Sequence, residues 1–248
     1  MGWVTPLVID VVLLILFSMT LKKFVNRVPF FRIIADYCRS KFRCFPGSLD
    51  YWEHRYSSGE DSGAGSRGGL ATFKANTINS ILKEHKMESV IEFGCGDGSQ
   101  LSLIDYPKYV GLDVSQTAIE QCKKKFSLDN SKEFFVTDQI YYQKRLNLPQ
   151  LDLSISLDVI YHLVEDEVFH YYMLALFESS KKYVLIYSTN YDEIQKYHIK
   201  PRNFTKWIDK HASQWKLVRK IENPYPYNPA NPDNTSLPDF YLYERLYE

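Results

Sequence analysis

Val90-Ile-Glu-Phe-Gly-Cys-Gly-Asp-Gly-Ser99 is the stretch on which the reading of this chain turns. Ser89 to Phe93 is a short apolar run of the kind that forms a buried strand. Three glycines spaced two apart, Gly94, Gly96 and Gly98, then break it. Glycine there permits positive φ and removes the Cβ that would hold a ligand away from the backbone. Apolar periodicity resumes at Leu101. The expected order is strand, glycine turn and helix start, with free N–H groups aimed at a ligand. A dinucleotide fingerprint has the spacing G-x-G-x-x-G, which seats a pyrophosphate on the helix N-terminus. Here Ser99 stands in place of the third glycine, and Glu92 lies two residues before the first. An acid just ahead of the turn suits a cationic ligand better than a diphosphate.

Outward from the turn, strands and helices alternate. Tyr109 to Ser115 is a second apolar run with an acid, Asp113, about 20 residues past the turn. An acid at that distance, closing the second strand of a βαβ unit, can accept both ribose hydroxyls. Thr117 to Phe126 has helical spacing. Glu133 to Asp138 and Leu151 to Asp158 read as third and fourth strands, each ending in an acid. All three strand-end acids also have a plainer reading, as caps of the helices that follow. Glu165 to Phe177 and Phe204 to His211 are helical, and Lys182 to Ser188 is a fifth strand. Trp215 to Ile221 and Phe240 to Leu246 are two final strands. Upstream, Ala71 to Lys86 is an amphipathic helix. This alternation predicts an α/β fold with a mainly parallel sheet covered on both faces.

At these positions the chain resembles the class I S-adenosylmethionine-dependent methyltransferases, whose first motif reads E/D-x-G-x-G-x-G. The resemblance covers roughly residues 50 to 248. It implies a Rossmann-like seven-stranded sheet with an antiparallel C-terminal edge strand, and S-adenosylmethionine as cofactor. The cofactor would be held by Glu92, Gly94, Cys95, Gly96, Asp97 and Gly98, by Asp113 on the ribose with Val114 beside it, by Asp138 on the adenine amino group, and by Leu157. Leu49 to Gly69 resembles the N-terminal segment of small bacterial-type methyltransferases, Y-W-x-x-R-Y followed by S-G-x-G-S, which folds over the cofactor as a lid. Arg55 would then pair with the cofactor carboxylate through its bidentate fork, with Ser62 and Ser66 adding hydrogen bonds. Asp158, Tyr161 and His162 fall where this family places acceptor-facing residues. His162 is the candidate base because its ordinary pKa lies near neutrality; a capping or packing histidine is the alternative. His198, Lys200 and Arg202 form a basic cluster that would suit an anionic group or be merely solvated. The loop Asn223 to Pro238 is long for a connection, which favours a functional lid. Its Tyr225 and Tyr227 would stack on a sugar or flat acceptor.

The N-terminus reads separately. Trp3 to Leu21 is almost wholly apolar, and as a helix it spans ~28 Å, close to the hydrocarbon thickness of a bilayer. Asp10 costs about 2.5–3.5 kcal/mol there. The Val, Leu, Ile and Phe residues return roughly 4–7 kcal/mol in total. Insertion wins by a narrow margin. No basic region precedes the stretch and no small-x-small site follows it, which disfavours a cleaved signal peptide, and a buried helix of a soluble fold is the alternative to an anchor. Lys22, Lys23, Arg27, Arg32, Arg39, Lys41 and Arg43 come next, opposed by Asp36 alone and interleaved with apolar residues. This is a basic juxtamembrane segment, and the positive-inside rule places it and everything after it in the cytoplasm. The expected organisation is a single-pass anchor at 1–21, a basic amphipathic segment at 22–48, and a catalytic domain at 49–248 whose residues 49–70 form the lid.

The 30 basic and 30 acidic residues balance, giving no electrostatic reason to expect nucleic acid as partner. The 4 cysteines have no metal-like spacing, so no metal is expected, and free thiols suit a cytosolic domain. Tethering points to an acceptor that is a small metabolite or is borne by the membrane, such as a lipid-linked glycan or an isoprenoid. The sequence leaves the acceptor, the atom methylated and the oligomeric state open. Two other readings stand beside transfer: a tethered cofactor-binding protein without activity, and a nucleotide-dependent oxidoreductase of related fold.

Overall fold

The computed structural model describes residues 45–138 and 148–246. The anchor expected at 1–21 and the basic segment through Arg43 lie outside the described residues. Among the described residues no helix is long and apolar enough to cross a membrane.

The first strand, β1 (Ser89–Phe93), is buried from Val90 to Phe93. It sits between two parallel neighbours, β2 (Lys108–Asp113) and β4 (Leu151–Leu157). A strand covered on both faces needs an unbroken apolar run, and this run supplies it. With β3 (Lys132–Val136), β5 (Ser180–Ser188), β6 (Trp215–Ile221) and β7 (Asp239–Arg245), the seven strands lie in the order β3-β2-β1-β4-β5-β7-β6. The chain moves outward one way from β1 to β3, then returns to β4 on the other side of β1. That reversal leaves a crevice beyond the carboxyl ends of β1 and β4, the usual place for a ligand in an open α/β sheet.

The alternation of side chains divides the core in two. Ile91, Phe93, Val110, Leu112, Val184 and Ile186 face one side, packed with α4 (Asp166–Glu178) and α5 (Phe204–His211). Val90, Tyr109, Leu153, Ile155 and Leu185 face the other, packed with α2 (Gly68–Glu84) and α3 (Gln116–Lys125). Each fully buried Ile, Leu or Phe contributes about 1.5–3 kcal/mol relative to exposure. A short helix, α1 (Ser48–Ser57), precedes the sheet.

Two expectations are corrected. No α-helix follows the glycine turn: residues 94–107 contain only a 3₁₀ turn, Leu101–Leu103, before Pro107 and β2. The turn itself uses 94–98 and Pro107 cannot extend a helix, so too little chain remains for one. The antiparallel strand is also not at the edge. β7 is antiparallel to both neighbours but lies between β5 and β6. Its residues Phe240 to Tyr243 are all buried, whereas Lys216 to Lys220 of β6 are exposed, so β7 takes the interior place and β6 the rim.

Gly111 of β2 faces a wall of rings. A Cβ there would lie 2.9 Å from both the Phe134 and the Tyr109 rings and 3.1 Å from the Cys95 sulfur. Gly111→Ala is expected to lower stability by about 1–3 kcal/mol through overpacking. The urea midpoint should fall with an unchanged m value; an unaltered midpoint would mean that this layer has slack.

Candidate active site

The glycine turn is tied to β2. The N–H groups of Gly94 and Cys95 both donate to the Leu112 carbonyl, at 2.7 and 3.0 Å. The Gly96 N–H donates to Asp113 Oδ2 at 2.8 Å, and the Ser115 N–H to Asp113 Oδ1 at 2.9 Å. Gly96 has φ +56°, and a Cβ there would lie 2.5 Å from Ser62 Oγ and 2.8 Å from Tyr56 OH. Both the conformation and the space demand glycine. Asp113 is buried, and burial pushes its carboxyl up to about 6, against the opposing pull of the Ser115, Gly96 and Val114 N–H groups. Glu92, beneath the turn, is pushed up to about 7 by burial, offset in part by a hydrogen bond from Tyr109 OH and by the charge of Lys74.

A lid covers this turn. α1 is clamped at one end by Glu165, which accepts the Ser48 N–H at 2.8 Å and the Ser48 hydroxyl at 2.6 Å. In its middle, Glu53 accepts the Ser115 hydroxyl at 2.7 Å and the Thr117 hydroxyl at 2.6 Å, across the start of α3. Further on, the Ser62 N–H donates to Asp97 Oδ2 at 3.1 Å, and the Asp97 N–H donates to Ser62 Oγ at 3.3 Å. The segment expected to be a lid therefore lies over the expected site.

Between lid and strand ends is a cavity of about 660 Å³, within the range typical of small-molecule sites. Of the residues expected to hold a cofactor, Glu92, Gly94, Cys95, Gly96, Asp113, Val114, Leu157, Ser62 and Ser66 line it, and so do Asp158, Tyr161 and His162. Asp97 instead latches the lid. Gly98 packs on Phe126 and Cys122, and Asp138 is exposed; neither lines the cavity. Arg55 turns back into its own lid: its Nε donates to the Asp61 carbonyl at 2.8 Å and its guanidinium lies 3.7 Å from Glu60.

The cation in the cavity is Lys74. It is 1 % exposed, and its Nζ donates to Asp158 Oδ2 at 2.7 Å. Tyr161 OH donates to the other Asp158 oxygen at 2.9 Å. Asp158 sits at φ +59°, a conformation that costs a non-glycine residue of order 1–3 kcal/mol and persists only where surroundings enforce it. The signal for Lys74 was present in the sequence. Leu70, Ala71, Lys74, Ala75 and Ile78 form the buried stripe of α2, and a lysine on that stripe needs a partner.

His162 Nδ1 lies 3.1 Å from the His198 carbonyl oxygen. A carbonyl only accepts, so Nδ1 carries the proton and Nε2 is left as the acceptor. Burial pushes the imidazole down to about 4, so it is neutral at physiological pH and a weaker base than the near-neutral histidine expected from the sequence. The His198 ring lies between Tyr51, stacked at 4.5 Å, and His162, stacked at 5.2 Å, while Trp52 meets His162 edge-on at 4.9 Å. The remaining members of the expected basic cluster have internal partners. Lys200 and Arg202 both bond Asp166, at 2.6 and 2.7 Å, and Arg202 also donates to the Leu163 and Val164 carbonyls. In the Asn223–Pro238 loop, Tyr225 packs on Gly69 and Phe73 at the start of α2, and neither it nor Tyr227 lines the cavity.

No protein-family model matches the sequence, and neither does any curated protein. Solved structures do match the fold. The N-methyltransferase NodS from Bradyrhizobium japonicum WM9, in complex with S-adenosyl-L-homocysteine, is 13% identical with a TM-score of 0.63, over 82% of this chain and 100% of that one. The methyltransferase domain of bacterial CtHen1 is 20% identical with a TM-score of 0.55, over 72% of this chain and 100% of that one. The magnesium protoporphyrin IX methyltransferase ChlM from Synechocystis PCC 6803, with bound S-adenosylmethionine, is 14% identical with a TM-score of 0.54, over 86% and 96%. The chain thus has the Rossmann-like methyltransferase fold.

The Lys74–Asp158 pair makes a separable prediction. Lys74→Met should destabilise the protein by leaving Asp158 with Tyr161 alone, and Asp158→Asn in the same chain should restore part of the loss. A double-mutant cycle on urea unfolding is expected to give a coupling of about 0.5–3 kcal/mol. Additive effects would show that the two groups do not sense each other.

Proposed function

We propose that this chain is an S-adenosylmethionine-dependent methyltransferase, anchored by residues 3–21 as a single-pass protein with its catalytic domain in the cytoplasm, acting on a small or membrane-associated acceptor. The observation that carries the transferase reading is the Gly96–Asp113 arrangement at the floor of the lidded cavity. Gly96 has no room for a side chain. Each Asp113 oxygen already holds one backbone N–H, and a carboxylate oxygen accepts a second hydrogen bond, here from a ribose hydroxyl. Lys74 has three ammonium protons and Asp158 takes one, so Lys74 fits the methionyl carboxylate better than Arg55 does. The fold neighbours include one bound to S-adenosyl-L-homocysteine and one to S-adenosylmethionine, which supports the same cofactor here.

When bound, the sulfonium supplies an already activated methyl group. The chain's own residues align and shield. The lid contacts of Glu53, Ser48 and Asp97 exclude water, and His162 Nε2 accepts the proton of the acceptor group. A nicotinamide dinucleotide fits poorly, because no α-helix N-terminus follows the glycine turn to hold a pyrophosphate.

Binding should depend on the charge of Asp113. Its folded pKa of about 6 lies above the ordinary carboxylate value. Its contribution to apoprotein stability is therefore greatest at acid pH and is lost as pH rises through about 6. Ribose binding favours the ionised form, so the linkage there runs the other way. Calorimetry should show S-adenosylhomocysteine affinity falling about tenfold per pH unit below pH 6. At pH 7.5, Asp113→Ala should weaken binding by about ten- to a hundredfold through loss of roughly 1.5–3 kcal/mol. Affinity flat with pH and insensitive to the substitution would assign Asp113 to capping α3.

Transfer itself is tested with methyl-labelled S-adenosylmethionine and a membrane extract. Label is expected in product, and His162→Gln should lower the rate by about 10²–10⁴ while leaving cofactor affinity unchanged. Tight cofactor binding with no label transferred to any fraction would favour the tethered binding protein.

A further inference from the structure

We propose that the carboxyl edge of the sheet is a docking face for the lipid bilayer, so that the cavity mouth opens onto the membrane surface. The proposal rests on the anchor reading above and adds an orientation to it. Exposed apolar side chains gather at this edge. The loop after β5 carries Tyr191, Ile194 and Tyr197, and the loop after β6 carries Tyr225, Tyr227 and Leu237. β6 runs parallel to β5, since β7 is antiparallel to both, so the two loops leave the sheet on the same side as the cavity. Leu49, at the start of α1, is exposed and lines the cavity. The Tyr51 and Tyr197 rings meet edge to face at 5.9 Å, joining α1 to the first of these loops. Among the described residues the other exposed large apolar ones are Phe135, Val136, Leu217 and Val218 in the edge strands, together with Leu103, Leu128 and Leu246.

Four of the seven residues on this edge are tyrosines, which suit the membrane interface with a ring in the apolar boundary and a hydroxyl in water. The charges of the first loop are neutralised locally: Lys196 pairs with Glu193, and Lys206 at the start of α5 with Asp192. Ile194, at 85 % exposure, has no apolar cover of its own. The chain's course supplies the occupant. Pro46, Gly47 and Ser48 line the cavity, and Arg43 is three residues before Pro46, at most about 11 Å of extended chain. The cations from Lys22 to Arg43, opposed by Asp36 alone, match anionic headgroups. The basic segment and the cavity-lining Pro46 are thus close neighbours in sequence.

The test uses the full chain with Cys38→Ser and Cys44→Ser; the remaining cysteines, Cys95 and Cys122, are buried. An environment-sensitive dye is attached at Ile194→Cys or at Leu128→Cys. Leu128 is 98 % exposed and precedes β3, at the opposite edge of the sheet. Each protein is reconstituted into phosphatidylcholine–phosphatidylglycerol vesicles with brominated acyl chains. Quenching is expected to be about fivefold or more stronger at 194 than at 128, as for a group buried ~5–10 Å into the interface. Equal or absent quenching at both sites, on protein that stays with vesicles in carbonate, overturns the docking face and leaves the anchor. Protein released by carbonate overturns the anchor and the docking face with it.

Discussion

The hydrogen bond from the Gly96 N–H to Asp113 holds the site together. It joins the end of β1 to the end of β2 at the point where the sheet order reverses. Burying a carboxylate is costly unless it is hydrogen-bonded, and here backbone N–H groups, those of Gly96, Ser115 and Val114, supply the compensation. The bond fixes Gly96 in a conformation other residues avoid, and that lets Ser62 and Tyr56 close down on it. Strand ends, glycine turn and lid thus meet at one residue without a side chain.

Around that floor the cavity has two chemically different walls. One carries Lys74, Asp158 and Tyr161, an ion pair between a buried lysine and a half-buried carboxylate, completed by a phenol and built on a residue with positive φ. Burying the lysine adds little net stability, because desolvation offsets the attraction. Strained residues enforced by their surroundings cluster at functional sites, and Asp158 fits that pattern. The other wall carries His162, whose tautomer is set by the His198 carbonyl and whose ring is held between His198 and Trp52. One wall presents a cation held by a carboxylate and the other a neutral imidazole with a fixed tautomer.

Much of this was legible in the sequence because it depends on local pattern. Ser89–Phe93, Phe204–His211 and Trp215–Ile221 fall where periodicity places them, and Asp113 closes the second strand as its sequence position suggests. What escaped depends on tertiary competition. The helix expected after the glycine turn is absent because Pro107 and the turn leave no chain for it. β7 displaced β6 from the interior because its residues Phe240 to Tyr243 are all apolar, a difference visible in composition but not in strand order. Arg55 was the reasonable cation for a carboxylate, yet its own lid satisfies it, and the buried cation came from the apolar face of α2. Lys200 and Arg202 read in sequence as an anion site, but Asp166, distant in sequence, pairs with both.

The cavity, lid and fold support a cofactor-dependent methyl transferase, and the account stands on where that cofactor lies. A crystal structure of the protein soaked with S-adenosylhomocysteine tests this most directly. The expected result places both ribose hydroxyls within hydrogen-bonding distance of Asp113, the backbone of Gly96 against the ligand, and the methionyl carboxylate at Lys74. Ligand density elsewhere, or Asp113 and Lys74 keeping only their present partners with the ligand bound, would contradict it.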